Sequence, residues 1–170
     1  MPRIDFVTGA PEKYAHIVDA LSTIPDRLDQ AVAGHSDARL RAAPQNAPEG
    51  DPWSAHRILG HMAYHCDAYR VFIHQMATMT DPVRKPFPGG VEDDALLEGS
   101  PAQLVERIRE DIAGTVEYLS RTPDASWGRP GFVNGARRSL RQQVEMHIRH
   151  LEAHIAQIAT ALGAVGAASR

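Results

Sequence analysis

The sequence predicts an all-α protein, a four-helix bundle with long crossover connections. Four stretches carry apolar residues at intervals of three and four positions, which is the spacing of one face of an α-helix. No stretch shows the alternation of apolar and polar residues that is typical of a strand. Helices without a sheet bury their apolar faces only against one another, so a bundle is the expected architecture.

The first two helices are predicted over residues 11–33 and 52–79. Pro25 lies inside the first of them. Because proline lacks an N–H and clashes with the preceding turn, we expect a kink or a break there. The second helix is expected to begin with Asp51 as its N-cap and Pro52 in the first helical position.

The last two helices each open with a capping box, in which a serine and a glutamine three residues later satisfy each other's backbone groups. The serines are Ser100 and Ser139, and their partners are Gln103 and Gln142. The third helix is expected to end at residues 122–123, where a proline stands, and the fourth at residue 162, before a glycine.

Two long connections, residues 34–50 and 81–99, and a shorter one, residues 123–138, join these helices. Connections of this length allow crossings between helices that are not adjacent. Residues 1–163 are therefore predicted to form a single helical bundle domain. Residues 164–170, which are small and polar, are predicted to be a flexible tail.

Composition and charge exclude several classes of protein. The 18 Lys and Arg residues and 21 Asp and Glu residues are mixed along the chain and give a net charge of −3. No basic patch is therefore expected to bind nucleic acid. No apolar run approaches the about 18 residues of a membrane span, and no signal peptide is visible, so we expect a cytoplasmic protein. The single cysteine, Cys66, excludes an intramolecular disulfide and a cysteine-based zinc motif.

Nine histidines are the unusual feature of the composition. At about 100° per residue, five of them fall on or beside the apolar stripe of their helix. They are His61 and His65 of the second helix and His147, His150 and His154 of the fourth. By contrast, His56 and His74 fall on the opposite side of the second helix and are predicted to be exposed to solvent.

Three of the inward histidines have the spacing of a metal site. His150 and His154 lie one turn apart, about 6 Å along the helix axis, and His61 could complete the set from a facing helix. Three protein ligands leave a coordination position open for water or substrate, and zinc, nickel, iron and copper are the metals that suit imidazole. Ordinary hydrogen-bonded core histidines fit the same spacing, so spacing alone leaves both interpretations open.

A zinc-protease motif is excluded, because Leu151 stands where its catalytic glutamate would be.

Several other short motifs occur in a specific order along the chain. They are Trp53-Ser54 followed by Leu59-Gly60-His61, Asn134-Gly135 ahead of Leu140, the His150-x-x-x-His154-x-x-Gln157-Ile158 ending, and the segments Ile24-Pro25-Asp26-Arg27-Leu28 and Ser36-Asp37-Ala38-Arg39-Leu40. Together they resemble the DinB/YfiT-like superfamily of metal-binding four-helix bundles over nearly the whole chain.

The resemblance implies a metal triad at His61, His150 and His154, a bundle with crossover connections and a homodimer. Some members of the family are thiol S-transferases or isomerases that use bacillithiol, mycothiol or glutathione. The cofactors implied are a divalent metal ion, such as zinc, nickel or iron, and a low-molecular-weight thiol. The substrate implied is a small molecule.

The remaining inward polar residues have two interpretations each. His65 and His147 could be alternative ligands, hydrogen-bond partners of a ligand or proton acceptors near the ion, or else ordinary core histidines. Gln157, one turn beyond His154, could hydrogen bond a ligand histidine or serve in packing.

Other candidate residues could line a substrate site near the last helix. Trp127, Arg129 and Phe132 precede that helix and could line the mouth of the site, although a tryptophan there also suits a lid over the core. Arg129 or Arg70 could pair with a substrate carboxylate, or be a solvated surface charge.

Three hypotheses of function follow. The first is a metal-dependent enzyme that presents a thiol or water as nucleophile, giving thiol S-transfer or hydrolysis. The second is a non-catalytic, stress-associated, dimeric metal-binding bundle. The third is a plain bundle without metal, whose melting temperature chelators would leave unchanged.

Overall fold

The computed structural model describes residues 12–44, 53–84 and 98–167. The helices in these ranges are α1 (Glu12–Ser22), α2 (Ile24–Val32), α3 (Asp37–Arg41), α4 (Ala55–Thr78), α5 (Pro101–Ser120), α6 (Asp124–Trp127) and α7 (Leu140–Ala167). The strands are β1 (Val83–Arg84), β2 (Pro130–Val133) and β3 (Ala136–Ser139). Helix α4 packs against both α5 and α7, and the α1–α2 pair packs against the same two helices. The predicted four-helix bundle is therefore confirmed, with α1 and α2 together forming one of its four helices.

The predicted break in the first helix lies at Thr23, between α1 and α2. Pro25 stands in the first turn of α2, where its missing N–H has no partner to lose. The Thr23 hydroxyl donates a hydrogen bond of 2.8 Å to the carbonyl of Ala20, at the end of α1. The break expected from the proline is thus confirmed.

The capping residue of α4 differs from the prediction. Ser54 caps this helix, because its hydroxyl accepts the backbone N–H of Arg57 at 3.2 Å. The expected cap and first residue, Asp51 and Pro52, lie outside the described residues. Serine is as good an N-cap as aspartate, and the sequence offered both.

Both predicted capping boxes are confirmed. The backbone N–H of Gln103 donates to the Ser100 hydroxyl at 3.2 Å, and the Gln103 side chain accepts from the Ser100 N–H at 2.8 Å. The backbone N–H of Gln142 likewise donates to the Ser139 hydroxyl at 3.2 Å, and the Gln142 side chain accepts from the Ser139 N–H at 2.9 Å. Local side-chain chemistry therefore fixes where α5 and α7 begin.

A small three-stranded sheet is present, so the prediction of a structure without strands is wrong. Strand β1 pairs in parallel with β2, and β2 pairs antiparallel with β3. The β2–β3 hairpin turns at Asn134 and Gly135, which have φ angles of +49° and +77°, as a two-residue turn of this sequence requires. Strands of two to four residues are too short to show alternation, and the sheet joins two of the crossover connections to each other.

Helix α7 continues to Ala167, beyond its predicted end at residue 162. Gly163 costs a helix about 1 kcal/mol relative to alanine, but the residues around it include the strong helix formers Ala161, Leu162 and Ala164. The last residues of the predicted tail, 168–170, lie outside the described residues, and the domain boundary at residue 163 stays a prediction.

A single hydrophobic core runs through the bundle and contains side chains from each of its long helices. Ile58 and Phe72 of α4, Ile112 of α5 and Leu151 of α7 are among its buried members. None of the helices in the described ranges is both long and apolar enough to cross a membrane. Along the α4–α7 contact, this apolar core is interrupted by histidines.

Candidate metal centre

Four histidine rings meet between α4 and α7. His61 and His65 lie one turn apart on α4, and His150 and His154 lie one turn apart on α7. The ring centroid of His61 is 4.2 Å from that of His65, 5.4 Å from that of His150 and 4.6 Å from that of His154. The two α7 rings are 4.5 Å apart. Two helices that are distant in the sequence thus bring four imidazoles together.

Three of these rings have the spacing that a metal ion needs. One nitrogen from each of His61, His65 and His150 lies within 4.8 Å of the other two. In a tetrahedral site, zinc–nitrogen bonds of about 2.1 Å put two ligand nitrogens about 3.4 Å apart, so these rings would move towards one another to bind one ion. This three-histidine cluster contains two residues of the predicted triad, with His65 where the triad has His154.

His154 stands beside the cluster and is oriented by Gln157. The Gln157 Oε1 atom lies 2.8 Å from the Nδ1 atom of His154, so Nδ1–H is the donor and Nε2 carries the lone pair. A ligand histidine is typically held in this way, with its other nitrogen fixed by a hydrogen bond. The structure therefore supports two candidates for the third ligand: His65 by its distance from the other nitrogens, and His154 by its hydrogen bond to Gln157.

Burial keeps the imidazoles of His150 and His154 in the form that binds metal. The pKa of His150 is lowered to about 3, mainly by burial and then by the neighbouring histidines, with His154 the largest contributor among them. Burial also lowers the pKa of His154, against the opposing effect of its hydrogen bond to Gln157. Neutral imidazole is the ligand form of histidine. The Nε2 atom of His150 is buried and has no hydrogen-bond partner among the described residues, as expected of a nitrogen reserved for an ion.

Aromatic rings flank the histidines on both sides. The ring of Trp53 meets His61 edge-on at 5.2 Å, and the ring of Tyr69 lies 5.9 Å from that of His150. Each of these rings carries an arginine over its face, at 4.8 Å in both cases. Arg57 lies over Trp53, and Arg84 lies over Tyr69.

Two of the residues that flank the histidines, Tyr69 and Arg84, were not predicted from the sequence as part of the site. Tyr69 could have been found, because it stands one turn after His65 on the same apolar stripe. Arg84 could not, because a two-residue strand places it against α4.

His147 lies on the inner side of the cluster. Its ring is 1% exposed and stacks on the ring of Tyr69, with centroids 4.3 Å apart. Burial, and then the charges of His65 and Arg84, lower the pKa of His147 to about 3. It does not belong to the group of nitrogens within ligand spacing. The structure therefore places it next to the candidate centre.

The prediction that His56 is exposed is wrong. Its ring is 3% exposed, its Nε2 atom lies 3.0 Å from the carbonyl oxygen of Gly99, and Arg41 approaches Nδ1 at 3.5 Å. Helix α3 and the start of α5 cover this side of α4, which one helical stripe could not reveal. The prediction that His74 is exposed is confirmed.

Trp127 and Arg129 have packing and capping roles in the structure. Trp127 is completely buried and stacks on Tyr14, with ring centroids 4.7 Å apart, which favours its interpretation as a lid over the core. Its contact with a substrate stays a prediction. Arg129 donates hydrogen bonds to the carbonyls of Met76 and Met79, at 3.1 and 2.6 Å. Met76 lies about 16 Å along α4 from His65. Arg129 therefore caps the far end of this helix.

Arg70 and Phe132 complete the candidates for a substrate site. Arg70 pairs with the carboxylates of Asp67 and Asp111, at 2.9 and 3.0 Å, in a groove of about 470 Å³ between α4 and α5. Its guanidinium already has two acidic partners within the protein. Phe132 is half-buried in β2 beside Val83, and its contact with a substrate stays a prediction.

Cys66 follows His65 on α4 and is 1% exposed. Burial raises the pKa of its thiol well above the ordinary range, and the charges of Asp111 and Asp67 add to this. The side chain is therefore a neutral thiol at pH 7 and is not a nucleophile.

Comparisons with known proteins agree with this description. The family model of the DinB superfamily matches residues 20–158. The structure is similar to that of YfiT from Bacillus subtilis, described as a probable metal-dependent hydrolase with an unusual four-helix bundle topology. The TM-score is 0.78 at 17% identity, and the match covers 98% of this chain and 93% of YfiT.

The structure is also similar to a mycothiol-dependent maleylpyruvate isomerase, with a TM-score of 0.68 at 13% identity. The match covers 85% of this chain and 60% of the isomerase, so the chain spans about three-fifths of that protein's length. No curated protein sequence matches the chain significantly. At these identities the likeness establishes the fold.

Proposed function

The chain belongs to the DinB superfamily, and on that premise we propose that it is a metal-dependent enzyme that acts on a small molecule. The proposed chemistry is hydrolysis or thiol transfer at the histidine cluster. One observation carries the proposal: nitrogens of His61, His65 and His150 lie within 4.8 Å of one another between two core helices. Such a convergence of half-buried imidazoles has a high desolvation cost unless an ion satisfies it.

His61 and His150 would hold the ion in either candidate ligand set. The distances favour His65 as the third ligand, whereas the sequence motif and the Gln157 hydrogen bond favour His154. A divalent ion supplies Lewis acidity, which lowers the pKa of a water or thiol that binds to it. The chain's own contribution is to lower the pKa of His150 by burial, which keeps that imidazole neutral, and to fix the ring of His154 through Gln157.

A thiol, if one is used, comes from outside the protein in this proposal. Cys66 is buried and neutral, so the chain offers no thiolate of its own. Of the two proteins of similar structure, the isomerase is mycothiol-dependent and YfiT is a probable hydrolase. We therefore propose a low-molecular-weight thiol or water as the nucleophile. A homodimer and a cytoplasmic location stay predictions of the sequence.

A second function is favoured by the fourth imidazole. The ring of His154 is 4.5 Å from that of His150 and 4.6 Å from that of His61. If all four histidines bound one ion, its tetrahedral coordination would be complete, as in structural zinc sites. The protein would then be a non-catalytic metal-binding bundle. Three ligands favour the enzyme and four favour this alternative.

Elemental analysis of tag-free protein, purified without added metal or chelator, tests the proposal. We expect about one zinc, nickel or iron ion per chain in the parent, as in other single-ion histidine sites. The ion should be lost in His150→Ala and retained in His74→Ala, a matched control at an exposed histidine. A parent that contains no metal, even after reloading, would contradict both functions.

Turnover assays on the metal-loaded parent then separate the two functions. Electrophilic small molecules would be offered with and without low-molecular-weight thiols, and ester or amide substrates with water alone. Turnover that disappears in His150→Ala supports the enzyme. A loaded protein in which four histidines are needed for binding, and which turns over none of these substrates, supports the structural alternative.

A further inference from the structure

Gln143 of α7 is a buried polar side chain that has no role in the proposed function. It is 0% exposed, and both atoms of its amide, Nε2 and Oε1, are buried without a hydrogen-bond partner among the described residues. Buried amides in folded proteins nearly always have partners, because an unpaired donor or acceptor loses its hydrogen bonds to water without gaining others in the protein. Something other than the surrounding protein groups is therefore expected to satisfy it.

Gln143 belongs to a polar row along one face of α7. With His147, His150 and His154 it occupies positions i, i+4, i+7 and i+11, which differ by no more than about 60° around the helix. The Nδ1 atom of His147 and the Nε2 atom of His150 are also buried without a partner in the described part of the chain. The polar surface of the histidine cluster thus continues inward along α7 to Gln143.

The inner half of this row is closed to solvent. Gln143 is 0% exposed and His147 is 1% exposed, with Tyr69 stacked on the ring of His147. This burial excludes a bulky ligand, and water is the smallest molecule that could satisfy these atoms. A buried water typically makes about three hydrogen bonds, and this pair offers the amide N–H donors and oxygen acceptor of Gln143 and a ring nitrogen of His147.

We propose that Gln143 and His147 hold internal water between α4 and α7, and that this hydrated pair positions the His147–Tyr69 stack against His150. His147 is a positioning residue in this arrangement, since it acts on the candidate ligands through contact. Burial keeps its ring neutral, so Nδ1 can pair with water in either tautomer. The water site is independent of the proposed function, whereas the positioning role rests on it.

Nuclear magnetic resonance on the full-length, 15N-labelled parent tests the water site directly. We expect cross-relaxation between the side-chain amide protons of Gln143 and water, with opposite signs in the laboratory-frame and rotating-frame spectra. The exposed amide of Gln30 on α2 is the control for exchange with bulk solvent. If the Gln143 amide protons are resolved and show no contact with water, the proposal is wrong.

Thermal melting of Gln143→Leu gives a second test with opposite outcomes. If water joins Gln143 to His147, leucine leaves the ring nitrogen unsatisfied, and the melting temperature falls by about 3–8 °C. If the amide is dry and unpaired, replacing it by an apolar side chain raises the melting temperature. Gln30→Leu makes the same substitution at an exposed site and should change it little. Gln143→Met serves the same comparison if the leucine variant does not fold.

Cobalt(II) binding tests the positioning role. Gln143→Leu keeps all four clustered histidines, so we expect the same stoichiometry with shifted ligand-field absorption bands and about tenfold weaker binding. Unchanged bands and affinity would overturn the positioning role. A parent that binds no cobalt would instead overturn the proposed function, and the resonance and melting experiments would still decide the water site.

Discussion

The ring of His61 on α4 lies 5.4 Å from the ring of His150 on α7. Helix α5 and the whole hairpin separate the two residues along the chain. Their approach depends on the direct packing of α4 against α7 within the bundle. These are also the two histidines that both candidate ligand sets share, so they are the first residues to test.

Alanine at either shared position should abolish metal binding. We expect His61→Ala and His150→Ala to weaken zinc affinity by at least about 100-fold, because each removes a bond that the other ligands cannot replace. Competition titration with a chromophoric chelator measures the affinity, and His74→Ala is the control. Binding that survives in both variants at parental affinity would place the ion elsewhere.

The same titration distinguishes the third ligand. If the distances between the ring nitrogens determine the third ligand, His65→Ala weakens metal binding far more than His154→Ala does. Gln157→Leu should then have little effect, because Gln157 acts only through His154. The reverse order of the two alanine variants would assign the third position to His154.

Stability of the metal-free protein should fall in weak acid. The pKa of His147 is about 3 in the folded protein and about 6.5 in an unfolded chain, so below pH 6.5 the unfolded state binds more protons. This difference disfavours folding progressively as the pH falls from 6.5 towards 3. His147→Phe keeps a ring against Tyr69 but cannot titrate. Urea unfolding at several pH values should show a shallower decline in this variant, and an unchanged slope would contradict the assignment.

His56 is expected to matter for stability and not for metal. Replacing it by alanine removes the hydrogen bond to the Gly99 carbonyl and leaves a cavity, which together should lower the free energy of unfolding by about 2–4 kcal/mol. Metal content should be unchanged. His74→Ala, on the exposed side of the same helix, should change the free energy by less than about 0.5 kcal/mol. Chemical denaturation and elemental analysis of both variants check this contrast.

Arg70 is predicted to be dispensable for the centre. Its side chain is 47% exposed and pairs with Asp67 and Asp111, so Arg70→Met should lower the free energy of unfolding by no more than about 1 kcal/mol. Metal content and any turnover should stay at the parental level. If the variant instead loses affinity only for an anionic substrate, Arg70 is a substrate-binding residue.

Short-range patterns in the sequence predicted the bundle well. The Ser100–Gln103 and Ser139–Gln142 boxes fixed two helix starts, because capping involves residues three positions apart. The small sheet escaped prediction because its strands are two to four residues long and pair across two different connections. His56 was misplaced for a related reason, since its burial comes from α3 and α5 and not from its own helix.

Helical periodicity and capping are local properties of the chain, so the four helices of the bundle and the inward histidines of two of them could be predicted from the sequence. The order of the short motifs added the family. Which imidazoles meet depends instead on tertiary packing. It brought His65 within ligand spacing of His61 and His150, set Tyr69 against His147 and enclosed Gln143. These relationships depend on how α4 and α7 are rotated and shifted against each other, and the packing of the whole core fixes that rotation and shift.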